Sequence, residues 1–178
     1  MTAKTLITVD EFAQMNFGET EDFELVDGEL IPLASPTPLH ARVRGKLEHL
    51  LRSYFERSPI GEAFAEIDCR ITTVIDRRPD LSVFLGERRN FDVTRIPAPC
   101  APDIAVEVLS PSEKVLELNR KILDYLGADC QEVWLLDQPN CEIFVHTGTS
   151  IRVYKAKDVL GSRLMPGFSV SVGGLLAG

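Results

Sequence analysis

Glu107 stands in the middle of Asp103-Ile-Ala-Val-Glu-Val-Leu109, a short apolar run with β-branched residues at its centre. Such a run reads as a buried strand. A carboxylate there is costly unless something cationic meets it. Side chains alternate along a strand, so Asp103, Ala105, Glu107 and Leu109 share one face, and Ile104, Val106 and Val108 the other. A second acid, Asp80, follows Pro79 and opens another apolar run, Leu81-Ser-Val-Phe-Leu85. If these strands are neighbours, Asp80 and Glu107 converge. Two converging carboxylates suit Mg²⁺ or Mn²⁺, hard ions that take oxygen ligands and keep several waters. Such an ion lowers the pKa of a bound water and stabilises phosphate charge. A nearby lysine adds positive charge for the transition state, and Lys121 is the candidate.

Plainer readings stand beside these. Glu117 and Lys121 are four residues apart, the spacing of a surface ion pair on a helix worth about 0.2–0.5 kcal/mol. Asp80 is also an ordinary turn or strand-edge residue, and so is Asp103 after Pro102. His40, near a helix start, reads as a local hydrogen-bonding residue. Glu24 and Glu29 flank a turn and read as exposed strand residues. Trp134 reads as core.

The elements that must position these groups follow from pattern. Thr8 with Glu11 is a capping box that opens a short helix over 8–16. Asp27-Gly28 between two apolar-alternating stretches makes a hairpin over 22–33. A long amphipathic helix runs over 39–57 and stops at Ser58-Pro59. Residues 62–75 read as one extended strand or hairpin arm, 80–85 as a short strand and 86–102 as a loop. After strand 103–109, Ser112 caps a helix that runs to about Leu126, with Gly127 as its stop. Residues 132–136 form a buried strand and 141–155 a hairpin about Gly148. Strand, helix and strand over 103–136 make a βαβ-like unit. The apolar tail packs back on the body, or else Val170 to Leu176 docks on a neighbouring copy.

The chain has 178 residues, 44% hydrophobic and 26% charged. That suits one domain over 1–178 with a sizeable core. No leader or bilayer-spanning run is read from the sequence, so the expected compartment is the cytoplasm, with no membrane partner. The four cysteines make no Cys-x-x-Cys pair and read as free thiols. The net charge of −8 argues against DNA binding by bulk electrostatics. Local basic groups remain: Arg42 with Arg44 and Lys46, Arg77 with Arg78, Arg88 with Arg89, and Arg120 with Lys121.

Several stretches together resemble one family. They are Asp22-Phe-Glu-Leu-Val-Asp-Gly-Glu29, Ser35-Pro-Thr-Pro-Leu-His40, Arg78-Pro-Asp80 and Pro102-Asp-Ile-Ala-Val-Glu-Val-Leu-Ser-Pro-Ser112. Lys121-x-x-x-Tyr125-x-Gly127, Glu132-Val-Trp-Leu-Leu-Asp137 and Leu164-Met-Pro-Gly-Phe168 complete the set. The chain resembles the Uma-type restriction endonucleases of the PD-(D/E)XK superfamily over about residues 8–175. The resemblance implies an α/β (α+β) fold with a restriction-endonuclease-like core: a mixed central sheet flanked by helices, with N-terminal and C-terminal hairpins. It implies a Mg²⁺- or Mn²⁺-dependent endonuclease acting on DNA, working as a homodimer or higher homo-oligomer. Asp80 matches the first acid and Glu107 the second. Leu109 stands where the superfamily's usual lysine would be, and Lys121 on the following helix stands in for it. Glu117 falls where the family tends to have aspartate, and His40 matches a family position. The segment after Ser110 is poorer in arginine than is usual, which leaves open a non-catalytic binding module with the same fold.

Overall fold

The computed structural model describes residues 6–18, 22–110 and 114–177. Helix α1 (Val9–Phe12) carries the expected capping box: Thr8 accepts from the Glu11 amide and Glu11 reaches back to the Thr8 amide. Strands β1 (Phe23–Val26) and β2 (Glu29–Pro32) form the hairpin. Asp27 (φ 51°) and Gly28 (φ 73°) both take left-handed angles, as a two-residue turn of this hand requires. A side chain at position 28 would also meet Leu6, 2.6 Å from an added Cβ. Helix α2 (Pro38–Arg57) begins one residue before the expected start. Thr37 caps it and Pro38 occupies its first turn, where a missing N–H costs nothing.

The stretch read as one extended strand or hairpin arm over 62–75 holds two strands, β3 (Gly61–Ala65) and β4 (Cys69–Arg70), and β5 (Asp76–Arg77) follows just beyond it. Glu66 takes a positive φ and residues 72–74 turn the chain back, so β3 and the β4–β5 pair enter different sheets. Strand β6 (Leu81–Leu85) follows, and a 3-10 turn (Gly86–Arg89) opens the loop expected over 86–102. Strand β7 (Ile104–Val108), helix α3 (Val115–Gly127) and strand β8 (Glu132–Asp137) form the βαβ unit, and β7 and β8 are parallel. Lys114 occupies the cap position of α3; the expected cap, Ser112, lies outside the described residues. Strands β9 (Glu142–His146) and β10 (Ile151–Lys155) make the second hairpin. Strands β11 (Val159–Ser162) and β12 (Met165–Ser171) pair, and helix α4 (Val172–Leu176) ends the chain.

The architecture is α+β with a mixed six-stranded sheet in the order β10-β9-β8-β7-β6-β3, beside a four-stranded sheet in the order β2-β1-β5-β4. Strand β7 lies inside the large sheet, and its face alternation is the expected one. Ile104, Val106 and Val108 pack with Leu47 and Leu51 of α2 and with Trp134 and Phe168. Ala105 packs with Ile122 and Tyr125 of α3 on the other face. Val172, Leu175 and Leu176 are buried in the first of these clusters, so the tail covers its own chain. The four cysteines are free thiols. Among the described residues no helix is long and apolar enough to cross a membrane.

Leu47 is fully buried, whereas Leu116 on α3 is 83% exposed. Leu47→Ala is therefore expected to lower unfolding free energy by about 2–5 kcal/mol, and Leu116→Ala to change it by under about 0.5 kcal/mol. Urea unfolding of both variants measures the contrast.

Candidate active site

The chain crosses from the small sheet to the large one at Arg78-Pro79-Asp80. Pro79 lacks the amide that would continue the β5 ladder. Strand β6 then pairs antiparallel with β7, Leu81 opposite Val106, and one further step along that register sets Asp80 opposite Glu107. The neighbourhood expected of these strands is therefore realised. Asp80 is held from two sides. Its Oδ2 accepts from the Val108 amide at 2.6 Å, and its Oδ1 lies 2.6 Å from His40 Nε2. His40 reaches it from the first turn of α2. That hydrogen bond raises the pKa of His40 above its ordinary value, against a lowering by burial.

Glu107 is 5% exposed. Its Oε1 accepts from the Tyr125 hydroxyl at 2.7 Å, and Lys121 Nζ stands 3.4 Å from each of its oxygens. Burial pushes its carboxyl up to about 7 from the ordinary 4.5. Lys121 pulls the other way, Asp80 and Glu24 raise it further, and Tyr125 lowers it. Lys121 and Tyr125 are one turn apart on α3, so a single helix face delivers both to the same carboxylate.

Lys121 also lies 3.5 Å from Glu24 Oε1. The surface pair with Glu117 is not what forms: Glu117 instead meets Lys114 at 3.1 Å, both well exposed. Glu24, read from the sequence as an exposed strand residue, is 2% exposed. It accepts from Arg77 Nη1 at 2.8 Å and from the Arg78 amide at 3.0 Å. Its neighbours Phe23 and Leu25 pack in the N-terminal cluster, so strand alternation turns Glu24 to the other face and no local pattern marks it as buried. Tyr125 enters from the sequence only as part of Lys121-x-x-x-Tyr125-x-Gly127.

Asp103 does not join this group. It lies just before β7, at the strand end away from Glu107, where it accepts from the Leu85 amide at 2.7 Å and from Gln131 Nε2 at 2.9 Å. Those bonds tie β6 and the β8 entrance to β7. Glu117 does not join either. The structure thus brings together Asp80, Glu107, Lys121 and His40, and adds Glu24 and Tyr125. The basic groups are largely engaged internally. Arg77 meets Glu24 and Asp124, and Arg78 meets Asp68 and Asp22. Arg44 meets Glu66, and Arg120 meets Asp27 and Asp124. Among the described residues no group of three or more His, Cys, Asp or Glu is arranged to cage a metal ion.

The Uma2 family, described as "Putative restriction endonuclease", matches residues 9–173, and the chain belongs to that family. Among solved structures, the chain is similar to "a putative nuclease belonging to DUF820 from Anabaena variabilis ATCC 29413". The two are 23% identical with a TM-score of 0.85, over 96% of this chain and 98% of that one. At that identity the likeness is one of fold. No curated protein matches the chain.

The raised carboxyl of Glu107 has a consequence for stability. Folded Glu107 keeps a proton that the unfolded chain releases near pH 4.5, so its contribution to stability falls as pH rises from about 4.5 to about 7. Glu107→Gln is expected to flatten the pH dependence of stability in that window. Lys121→Met is expected to raise the Glu107 pKa further and to extend the loss above pH 7. Urea unfolding over a pH series, with carboxyl-carbon NMR titration of Glu107, reads both effects.

Proposed function

We propose that this member of the family is a metal-dependent endonuclease that hydrolyses phosphodiester bonds of DNA. In this reading Asp80 and Glu107 hold one Mg²⁺ or Mn²⁺, and Lys121 acts beside them. The observation that carries it is the position of Lys121. Its ammonium lies 3.4 Å from both Glu107 oxygens and 3.5 Å from Glu24, beside a strand pair that sets Asp80 opposite Glu107.

The residues present fit such an ion. Both candidate ligands offer hard oxygen atoms, the donors these ions take. Burial and the charges of Asp80 and Glu24 hold the Glu107 proton on, so an added cation would relieve the strain on this carboxyl. Two carboxylates without a closed cage suit an ion that keeps several of its waters. When bound, the ion supplies Lewis acidity, which lowers the pKa of a water and stabilises charge on the phosphate.

The chain's own groups do the rest. The Val108 amide and His40 fix the direction of the Asp80 carboxylate. The Tyr125 hydroxyl fixes one oxygen of Glu107. Glu24 and Glu107 together hold the Lys121 ammonium beside the acids, where it positions the attacking water and steadies the charge that gathers on the phosphate. Arg77, bonded to Glu24 and Asp124, keeps Glu24 in place. Cutting both strands with one such centre per copy calls for a second copy, so the reading extends to a homodimer or higher homo-oligomer.

A second reading, a binding module that keeps the fold without cleavage, is favoured by the engagement of Arg44, Arg77, Arg78 and Arg120 in ion pairs. That leaves fewer side chains for phosphate. The two readings part on one experiment. Asp80→Ala and Glu107→Ala are each expected to abolish Mn²⁺-dependent cleavage of DNA, and Glu107→Ala to abolish Mn²⁺ binding in calorimetric titration. Lys121→Ala is expected to lower turnover by about 10²-fold or more while Mn²⁺ binding persists. Cleavage that survives either carboxylate change would remove the catalytic assignment.

A further inference from the structure

One of the arginine pairs borders the candidate centre, and its acid is replaceable. Strand β3 lies beside β6 with Ala65 opposite Leu81. One further step sets Glu66 beside Asp80, and the Glu66 amide donates to the Asp80 carbonyl at 3.2 Å. Glu66, Asp80 and Glu107 therefore stand in a row across β3, β6 and β7. On α2, His40 and Arg44 are one turn apart and share a face. His40 bonds Asp80, and Arg44 meets Glu66 through Nη1. The charge of Arg44 also reaches His40, where it opposes the rise in pKa set by the Asp80 hydrogen bond. Successive positions on one helix face thus meet neighbouring positions of the sheet.

Arg44 is poorly served by that partner. The contrast is with Arg77, whose Nε, Nη1 and Nη2 all donate to Asp124 or Glu24. Those two acids are buried, with side chains 7% and 2% exposed. The Arg44 side chain is only 18% exposed, but that of Glu66 is 46% exposed, and Arg44 Nε has no hydrogen-bond partner. An ion pair with one partner half in solvent contributes little. A guanidinium taken largely out of water calls for more acceptors than one such carboxylate gives. Phosphate oxygens answer a guanidinium with two parallel hydrogen bonds. Solvent already reaches Glu66, so its carboxylate can swing outward. The guanidinium edge that it covers then opens beside Asp80.

We propose that Arg44 binds a backbone phosphate of the DNA strand beside the carboxylate centre, and that Glu66 holds the place of that phosphate in the unbound protein. His40, which bonds Asp80, and Arg44 are about 6 Å apart along α2, so a strand seated at Asp80 passes Arg44. Binding exchanges one anionic partner of the guanidinium for another, and Glu66 returns to water. The engagement of Arg44 therefore differs from that of Arg77: it is a contact made to be given up, where the other ties two sheets and a helix together. The proposal rests on the nucleic-acid reading above, though not on cleavage.

The test follows binding of a fluorescein-labelled DNA duplex to the full chain by anisotropy, over a salt series at fixed Ca²⁺. Arg44→Gln should weaken binding by about ten-fold near 0.1 M salt and reduce the slope of log K against log salt by about 0.9, the release of one counterion. Arg44→Lys keeps the charge but not the fork, and should retain the slope while losing part of the affinity. Glu66→Gln should tighten binding by about two- to five-fold, the worth of an exposed ion pair, and that gain should vanish where Arg44 is already Gln. Mere removal of a negative charge would act in either background, so this comparison isolates the exchange and does not depend on the stability of Arg44→Gln. An unchanged slope in Arg44→Gln, a Glu66→Gln gain that persists without Arg44, or no binding of DNA by the unaltered chain overturns the proposal. A protein that binds DNA with these differences but never cleaves it keeps the proposal while the nuclease reading fails. Cleavage by a protein whose salt slope is indifferent to Arg44 does the reverse.

Discussion

A carboxylate inside a five-residue apolar strand must be answered by positive charge, and for Glu107 the answer comes from a neighbouring helix. Lys121 faces both of its oxygens. Lys121 in turn faces Glu24, Glu24 faces Arg77, and Arg77 faces Asp124. Asp124 meets Arg120, which closes on Asp27 at the hairpin turn. Charges alternate in sign from β7 through α3 to β1 and β5. Buried members of such a chain are not interchangeable. Removal of one partner leaves its neighbour uncompensated in low dielectric, a loss of about 3–5 kcal/mol for a buried pair. The chain therefore does for the two sheets what hydrophobic packing alone would not. It fixes the small sheet and α3 in one orientation about the strand that carries Glu107.

That dependence explains which parts of the molecule were legible in the sequence. Local rules decide the capping box at Thr8, the Asp27-Gly28 turn and the succession of strand, helix and strand over 103–136, and these formed as read, while helix ends moved: α2 begins one residue early and α3 runs through Gly127. The meeting of Asp80 with Glu107 needed one further assumption, that their strands are neighbours. Glu24 could not be read this way. Its burial comes from Arg77 and Lys121, which lie 53 and 97 positions away along the chain, and no periodicity encodes such a partner. The error over 62–75 has a similar origin. An extended stretch looks alike whether it stays in one sheet or passes between two, and the turn over 72–74 follows from where β1 offers an edge to β5.

The same accounting changes the meaning of the basic pairs. Arg77 and Arg78 are adjacent in sequence, which suggests a patch for phosphate. In the fold they diverge, as strand neighbours must. Arg77 goes inward to Glu24 and Asp124, and Arg78 to Asp68 and Asp22. The net charge of −8 is thus an acidic surplus beside basic groups, Arg44, Arg77, Arg78 and Arg120 among them, that are already paired with acids of the same chain. Long-range attraction to a polyanion is weak under these conditions, so affinity for a strand would have to come from short-range contacts.

Placement of the lysine on a helix has a mechanical consequence. A lysine at position 109 would ride on the same strand face as Glu107 and move with it. Leu109 instead packs against the cluster under α3, and the ammonium is delivered across the gap between helix and sheet. Its distance from Glu107 then depends on how α3 docks, through Ile122 and Tyr125 against Ala105 and Val133. Tyr125 is both a packing residue and a hydrogen-bond donor to Glu107, so the contact that seats the helix is also one that orients the carboxylate. The first turn of α3 lies outside this contact: Val115 and Leu116 are exposed and Glu117 pairs with Lys114. Residues 117, 121 and 125 drift by about 40° at each step of four around a helix. That drift takes Glu117 out to solvent while it brings Lys121 and Tyr125 onto one acid. The i, i+4 spacing that made a surface pair plausible is, on this helix, the geometry that aims two donors inward.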